Sequence, residues 1–436
     1  MPAMTSRESA ITIFKSAVAA VQPEHLIPAQ LRLNGNILHI IDQQVSMVAS
    51  QKIYVIGGGK ASAAMALAVE QLLGDRITAG IVITKYGHSL PLETIICLEA
   101  GHPVPDEAGL AATKEMLSLL EQARKDDIVI CLISGGASSL WIDLPNAISL
   151  EDMQAVFQLL LKCGASIDEM NCVRKHLSAI KGGQLLRFAP SSKWFSLVIS
   201  DVPGDDLSVI ASGPTVPDTG MFTDVEAILN RYSLTEKLPA SVKVHIQRGL
   251  DGLIEETPKC EDPVFQQVYQ KIIGSNIIAL EAAAIQARAI GFEHIYISND
   301  LCGDAAVIGE DIVGVLEKYS GGVPACFLYG GETTVAVSGH GKGGRNQHLA
   351  LSAVAVMHKN NITLLAAGTD GTDGPTDAAG AIADSQVIST MHDRRLDPGK
   401  YLENHDAYHF FENVGALLKT GATQTNVMDL VIGIVN

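Results

Sequence analysis

The chain has 436 residues, with 31 Lys and Arg against 48 Asp and Glu, a formal charge of −17, 47% hydrophobic residues and only 18% charged ones. An acidic surface repels nucleic acid and anionic membrane, so neither is an expected partner. The mean hydropathy of +0.22 invites a membrane reading, yet no apolar run reaches the roughly 20 residues that a bilayer requires.

In chain order, the first twenty residues carry Arg7, Glu8 and Lys15 and no apolar block, which predicts a cytoplasmic protein. Strands are predicted over 53–56, 80–84, 94–99, 128–133 and 195–200, with helices over 61–73, 107–124, 150–163 and 169–188 between them. Ser149 with Asp152 marks the start of the third helix. Residues 203–262 break the alternation with Pro239, Pro258 and Pro263 around two polar helical stretches. Beyond them, strands are predicted at or just before Ile277 and over 295–298, 325–329, 333–338, 362–367 and 427–435. Helices are predicted over 282–290, 305–319 and 347–357. This alternation is that of α/β layers with buried parallel sheet, in two domains divided at 245/246. The seven cysteines include no Cys-x-x-Cys pair, and Cys97, Cys131 and Cys326 sit in strand-like runs that suit buried hydrophobes.

Glycines gather where strands end and helices begin, the places where α/β proteins hold ligands. Gly57-Gly58-Gly59-Lys60-Ala61-Ser62 follows the first strand and opens an Ala-rich helix, whose N-terminus and lysine suit an anion. It fits neither a Walker A loop nor a dinucleotide fingerprint, and the second strand ends at Lys85-Tyr86 with no acid for a ribose. A second loop, Ser134-Gly135-Gly136-Ala137-Ser138-Ser139, offers hydroxyls and N–H groups to carboxylate or phosphate oxygens, or is a plain turn. Gly101-His102-Pro103 is either a substrate contact or a stiffened loop, and Arg174 and Lys181 form either a solvated basic face or a binding surface. Asp201 closes the fifth strand, a place for a base or a Mg2+ partner.

The C-terminal half holds the densest set. Gly330-Gly331-Glu332 follows a strand and leads to Gly343-Gly344-Arg345-Asn346-Gln347, read as a cationic anion clamp. The acids of Gly368-Thr369-Asp370-Gly371-Thr372-Asp373 lack the spacing of a calcium loop and better serve Mg2+. Cationic glycine loops in both halves, with acids at strand ends, point to phosphoryl transfer, which needs positioning and charge neutralisation more than covalent chemistry. The expected site is a cleft between the two α/β domains.

With these blocks in order along nearly the whole chain, the sequence resembles the class II glycerate kinases (glycerate 2-kinases), whose C-terminal part is the MOFRL domain. Gly101-His102-Pro103, Lys175-His176-Leu177-Ser178 and Thr425-Asn426-Val427 add to the likeness. The resemblance implies a Rossmann-like N-terminal domain, a smaller mixed α/β C-terminal domain, and transfer of the ATP γ-phosphoryl to the C2 hydroxyl of D-glycerate with Mg2+. It implies Lys60 and Arg345 as the catalytic pair. Asp201 is the candidate base or metal partner, and Glu332, Asp370 and Asp373 are metal candidates. Substrate or nucleotide contacts are expected at Gly57, Gly58, Gly59, His102, Ser134, Gly135, Gly136, Ser138, Lys181, Gly343, Gly344, Asn346 and Thr369. Two alternatives stay open: an NAD(P)H-dependent hydroxypyruvate reductase and a non-catalytic sugar-acid or nucleotide-binding protein. The sequence leaves the oligomeric state undecided.

Overall fold

The computed structural model describes residues 4–145 and 147–436. They divide into two compact units: Ile27–Ile273, and the segment ending at Leu26 together with Gly274–Asn436. The expected division at 245/246 falls inside the helix Ala240–Leu250.

The first unit opens with a three-stranded antiparallel sheet, β1 (Leu31–Asn34), β2 (Ile37–Ile40) and β3 (Gln43–Ser46), which the sequence reading did not contain. Its main sheet has β4 (Ile53–Gly58), β5 (Ala79–Lys85), β6 (Ile95–Ala100), β7 (Ile128–Ile133), β8 (Lys193–Ile199) and β9 (Val268–Gly274) in the spatial order β6-β5-β4-β7-β8-β9. From β6 through β8 the neighbours run parallel. Every residue of β4 and β7 is buried, as expected of central parallel strands covered on both faces. The helix Glu107–Leu120 starts where Asp106 accepts the Gly109 N–H at 2.9 Å. Four helices, Leu150–Cys163, Ile167–His176, Phe222–Arg231 and Ala240–Leu250, close a separate apolar core around Val156, Leu160, Val173, Val225 and Val242.

One helix expected over 169–188 is broken. It ends at His176, and a 3-10 turn follows at Gln184–Phe188. Ser178 is the cause: its hydroxyl donates to Asp143 at 2.6 Å and accepts the N–H groups of Ile180 and Lys181 at 3.1 Å. A hydroxyl that satisfies backbone donors in this way competes with helix.

The second unit is built on a mixed sheet of β10 (His294–Asp304), β11 (Ala325–Thr334), β12 (Ile362–Gly368), β13 (Gly380–Asp384), β14 (Leu417–Leu418) and β15 (Asp429–Val435). Its order is β10-β11-β15-β12-β13-β14, parallel only between β10 and β11. The segment expected to hold a separate strand over 333–338 extends β11 to Thr334 and then leaves regular structure. Ile277 belongs to the helix Asn276–Ala289, and the strand just before it is β9. The N-terminal helix Ser6–Ala20 packs in this unit, against Asn276–Ala289, β12 and β15. Arg7 holds Asp384 there through two hydrogen bonds, of 2.6 and 2.8 Å. Among the described residues, no helix is long and apolar enough to cross a membrane.

Candidate active site

In the first unit the strand order reverses between β4 and β7, and ligands of such sheets sit beyond the strand ends at that point. The loops leaving these two strands bond to each other. Ser134 N–H donates to the Gly58 carbonyl at 3.0 Å, Lys60 N–H to the Gly135 carbonyl at 2.9 Å, and Ala61 N–H to Ser134 Oγ at 3.0 Å. Gly59, with φ +125°, lies so close to Ser134 that an added Cβ would fall 2.2 Å from its Oγ. The crossing holds half-buried Lys60 just before the helix Ser62–Leu73, with its stem beside Gly136. The His102 ring lies against the same face of Gly136, where an added Cβ would fall 2.8 Å from its Nε2.

Behind the crossing, the Trp141 indole donates to the Gly57 carbonyl at 3.1 Å. Lys181 is buried, and its ammonium donates to the Trp141 carbonyl at 2.8 Å. Burial pulls the Lys181 pKa down to about 8 against the pull of Asp143, and burial raises that of Asp143. Lys181 therefore braces the Trp141 backbone from inside the unit. Ser138 faces Ser212 across 3.2 Å, and Ser212 donates to Asn171 Oδ1 at 3.2 Å. Asp201 is half-buried in the loop after β8, the strand next to β7.

In the second unit the loops gather at one rim of the sheet, where Asp429 pairs in register with Gly331 and Gly368. Arg345 opens the helix Arg345–Val356. Its Nε and Nη2 donate to fully buried Asp429 at 2.6 and 3.0 Å, and Nη1 meets half-exposed Glu332 at 2.5 Å. Burial would lower the guanidinium pKa; the two carboxylates outweigh it and raise the value. Asp373 caps the same helix, accepting the N–H groups of Asn346 and Gln347 at 3.1 and 2.8 Å.

Residues 9–247 match the family described as "Domain of unknown function (DUF4147)", and residues 325–429 match the MOFRL family. A Pyrococcus horikoshii protein named glycerate 2-kinase is 42% identical over 100% of this chain and 98% of its own. A Thermotoga maritima protein named D-glycerate 2-kinase is 40% identical over 98% of each. This chain belongs to the glycerate 2-kinase family. A crystal structure of glycerate kinase from Thermotoga maritima shares its fold at a TM-score of 0.85, with 38% identity and 99% of both chains covered. Another relative, from Agrobacterium vitis, is 40% identical over 98% of this chain and 94% of its own, and carries a provisional hydroxypyruvate reductase name.

On this glycerate 2-kinase scaffold, Gly57, Gly58, Gly59, Lys60, His102, Ser134, Gly135, Gly136 and Ser138 come together at the switch point of the first unit. Gly343, Gly344, Arg345, Asn346, Glu332 and Thr369 come to the sheet rim of the second. Much of the glycine there has a packing cause, since an added Cβ on Gly344 would fall 2.3 Å from the Asp373 carboxylate. Thr369 is buried, donating to the Met428 carbonyl at 2.6 Å and accepting the Val427 N–H at 2.9 Å. The sequence reading missed Trp141, Asp143, Ser212 and Asp429. Asp429 had a signal, being an acid at the head of the apolar run Leu-Val-Ile-Gly-Ile-Val.

Mg2+ can be tested against the acids present. Among the described residues, no three His, Cys, Asp or Glu side chains gather in a way that could hold a metal. A nucleotide-borne Mg2+ needs only one or two carboxylates beside the phosphates. Asp370 fits, half-buried on its loop with Oδ1 accepting the Thr372 N–H and Oγ1 at 3.0 Å each. Asp373 does not fit, because both its oxygens serve the helix N-terminus.

Proposed function

We propose that this chain transfers the γ-phosphoryl group of ATP to the C2 hydroxyl of D-glycerate, giving 2-phospho-D-glycerate and ADP in the cytoplasm. The observation that carries this reading is the crossing of the two glycine loops at the switch point. It sets Lys60 against a helix N-terminus, where N–H groups and the helix dipole favour phosphate. The seven unpaired cysteines suit a reducing compartment.

Lys60 neutralises charge on the transferring phosphoryl group. Arg345 serves phosphate charge through Nη1 once Glu332 leaves that edge for Mg2+, while Asp429 fixes the other edge of the guanidinium. Asp201 accepts the hydroxyl proton as the C2 oxygen bonds to the γ-phosphorus and the bond to the bridging oxygen of ADP breaks. The hydroxyls and N–H groups of Ser134 to Ser138 cradle substrate oxygens. Mg2+, when bound, would offset charge on the β- and γ-phosphates, and Asp370 and Glu332 are the acids that suit it.

Two assays on one preparation test the reading: ADP release with D-glycerate, and NAD(P)H loss with hydroxypyruvate. Lys60→Ala and Arg345→Ala are each expected to lower kcat by about 10²–10³. Normal ADP release in both variants overturns the role of the pair, and NAD(P)H loss without ADP release favours the reductase. NMR of the product separates 2- from 3-phosphoglycerate.

A further inference from the structure

We infer that Arg174 is the residue that takes the carboxylate of glycerate, an assignment that rests on the kinase reading above. Arg174 lies in the last turn of the helix Ile167–His176. Its guanidinium is half-buried over the Phe157 ring, 4.9 Å from the centroid, and its Nε is buried with no acceptor. Among the described residues it forms no ion pair. A guanidinium nitrogen kept from water without an acceptor is destabilising, and the planar edge of the group matches a carboxylate through two parallel hydrogen bonds.

The surroundings deepen the need for an anion. Burial lowers the pKa of Arg174, and its charge adds to the depression of buried Lys181 nearby. Lys181 itself is engaged with the Trp141 carbonyl, and Arg345 with two carboxylates. Position points the same way. Asn171 sits one helical turn before Arg174, on a neighbouring face position. It accepts from Ser212, which in turn faces Ser138 on the loop that leaves β7. Through Asn171 and Ser212, the helix that carries Arg174 is tied to the loop expected to cradle the substrate, and a carboxylate on the guanidinium would leave the C2 hydroxyl for that loop.

An ATP phosphate offers Arg174 similar oxyanion chemistry, so the test separates the two substrates. Steady-state ADP release is measured for Arg174→Met and Arg174→Lys with D-glycerate and ATP each varied. The expected result is a rise in glycerate KM of roughly 10- to 100-fold in Arg174→Met, a smaller rise in Arg174→Lys, and an ATP KM within about twofold of wild type. Turnover of the neutral acceptor glyceramide should be equal in wild type and Arg174→Met. A second measurement uses the wild-type protein alone: D-glycerate, and not glycerol, should protect Arg174 from phenylglyoxal, read by peptide mass. An unchanged glycerate KM, a rise confined to ATP, or protection by ATP only overturns the assignment while the kinase reading stands. No ADP release by wild type with glycerate overturns both.

Discussion

Asp373 shows how one carboxylate can be read as chemistry in the sequence and prove to be architecture in the fold. Burial holds its pKa up at about 7, against the pull of the Gln347 and Asn346 N–H groups. An unfolded Asp titrates near about 3.9. Between those values the folded chain binds more proton than the unfolded one, so this residue makes stability fall as pH rises through that window. Asp373→Asn removes the term. Urea midpoints at about pH 4.5 and about pH 7.5 should show the wild type losing up to a few kcal/mol relative to the variant; a constant difference would contradict the burial account. The residue types at the site were legible because a lysine or arginine beside glycine at a helix start is not what stability alone would choose. Their partners were harder to read. That Arg345 rests on Asp429, 84 positions away in sequence, follows from strand register, which no local pattern encodes.

The loop crossing sets the terms at the scale of elements. Gly59→Ala forces a side chain onto Ser134 at a φ that L residues rarely adopt, so we expect a loss of at least about 2 kcal/mol, with ADP release falling together with the denaturation midpoint. Wild-type stability in that variant would mean the loops do not bond as described. Strands β4 and β7 were legible as unbroken apolar runs, and their helices by cap and glycine. The meander β1–β3 was missed although Gly35-Asn36 is a hairpin signal, because its strands are only 4 residues each. The helix expected over 169–188 failed for a reason invisible in sequence: Asp143, 35 positions before Ser178, supplies the acceptor that turns the chain.

For the whole molecule, chain order and unit membership part company. The N-terminal helix belongs with the C-terminal unit, tied by Arg7 to Asp384, by Gln22 to the Thr423 carbonyl at 3.0 Å, and by Thr425 to the Val21 carbonyl at 2.6 Å. Helical periodicity shows that such a helix has an apolar face and says nothing of which sheet covers it, so a single cut along the sequence could not recover the division. Deleting residues 1–26 from the full chain should therefore lower hydrogen-exchange protection in β12 and β15 and leave β4 and β7 near their wild-type protection; uniform loss across both sheets would refute this. The tie between Trp141 and the Gly57 carbonyl has a consequence of another kind. The chain has only 2 tryptophans, and the other, Trp194, donates to the Ala189 carbonyl at 2.9 Å on the neighbouring strand β8. With Trp194→Phe, the emission of the whole protein would come from one indole bonded to the Gly57–Lys60 loop. Titration with ATP should then shift or quench that emission, an optical signal of occupancy that needs no label.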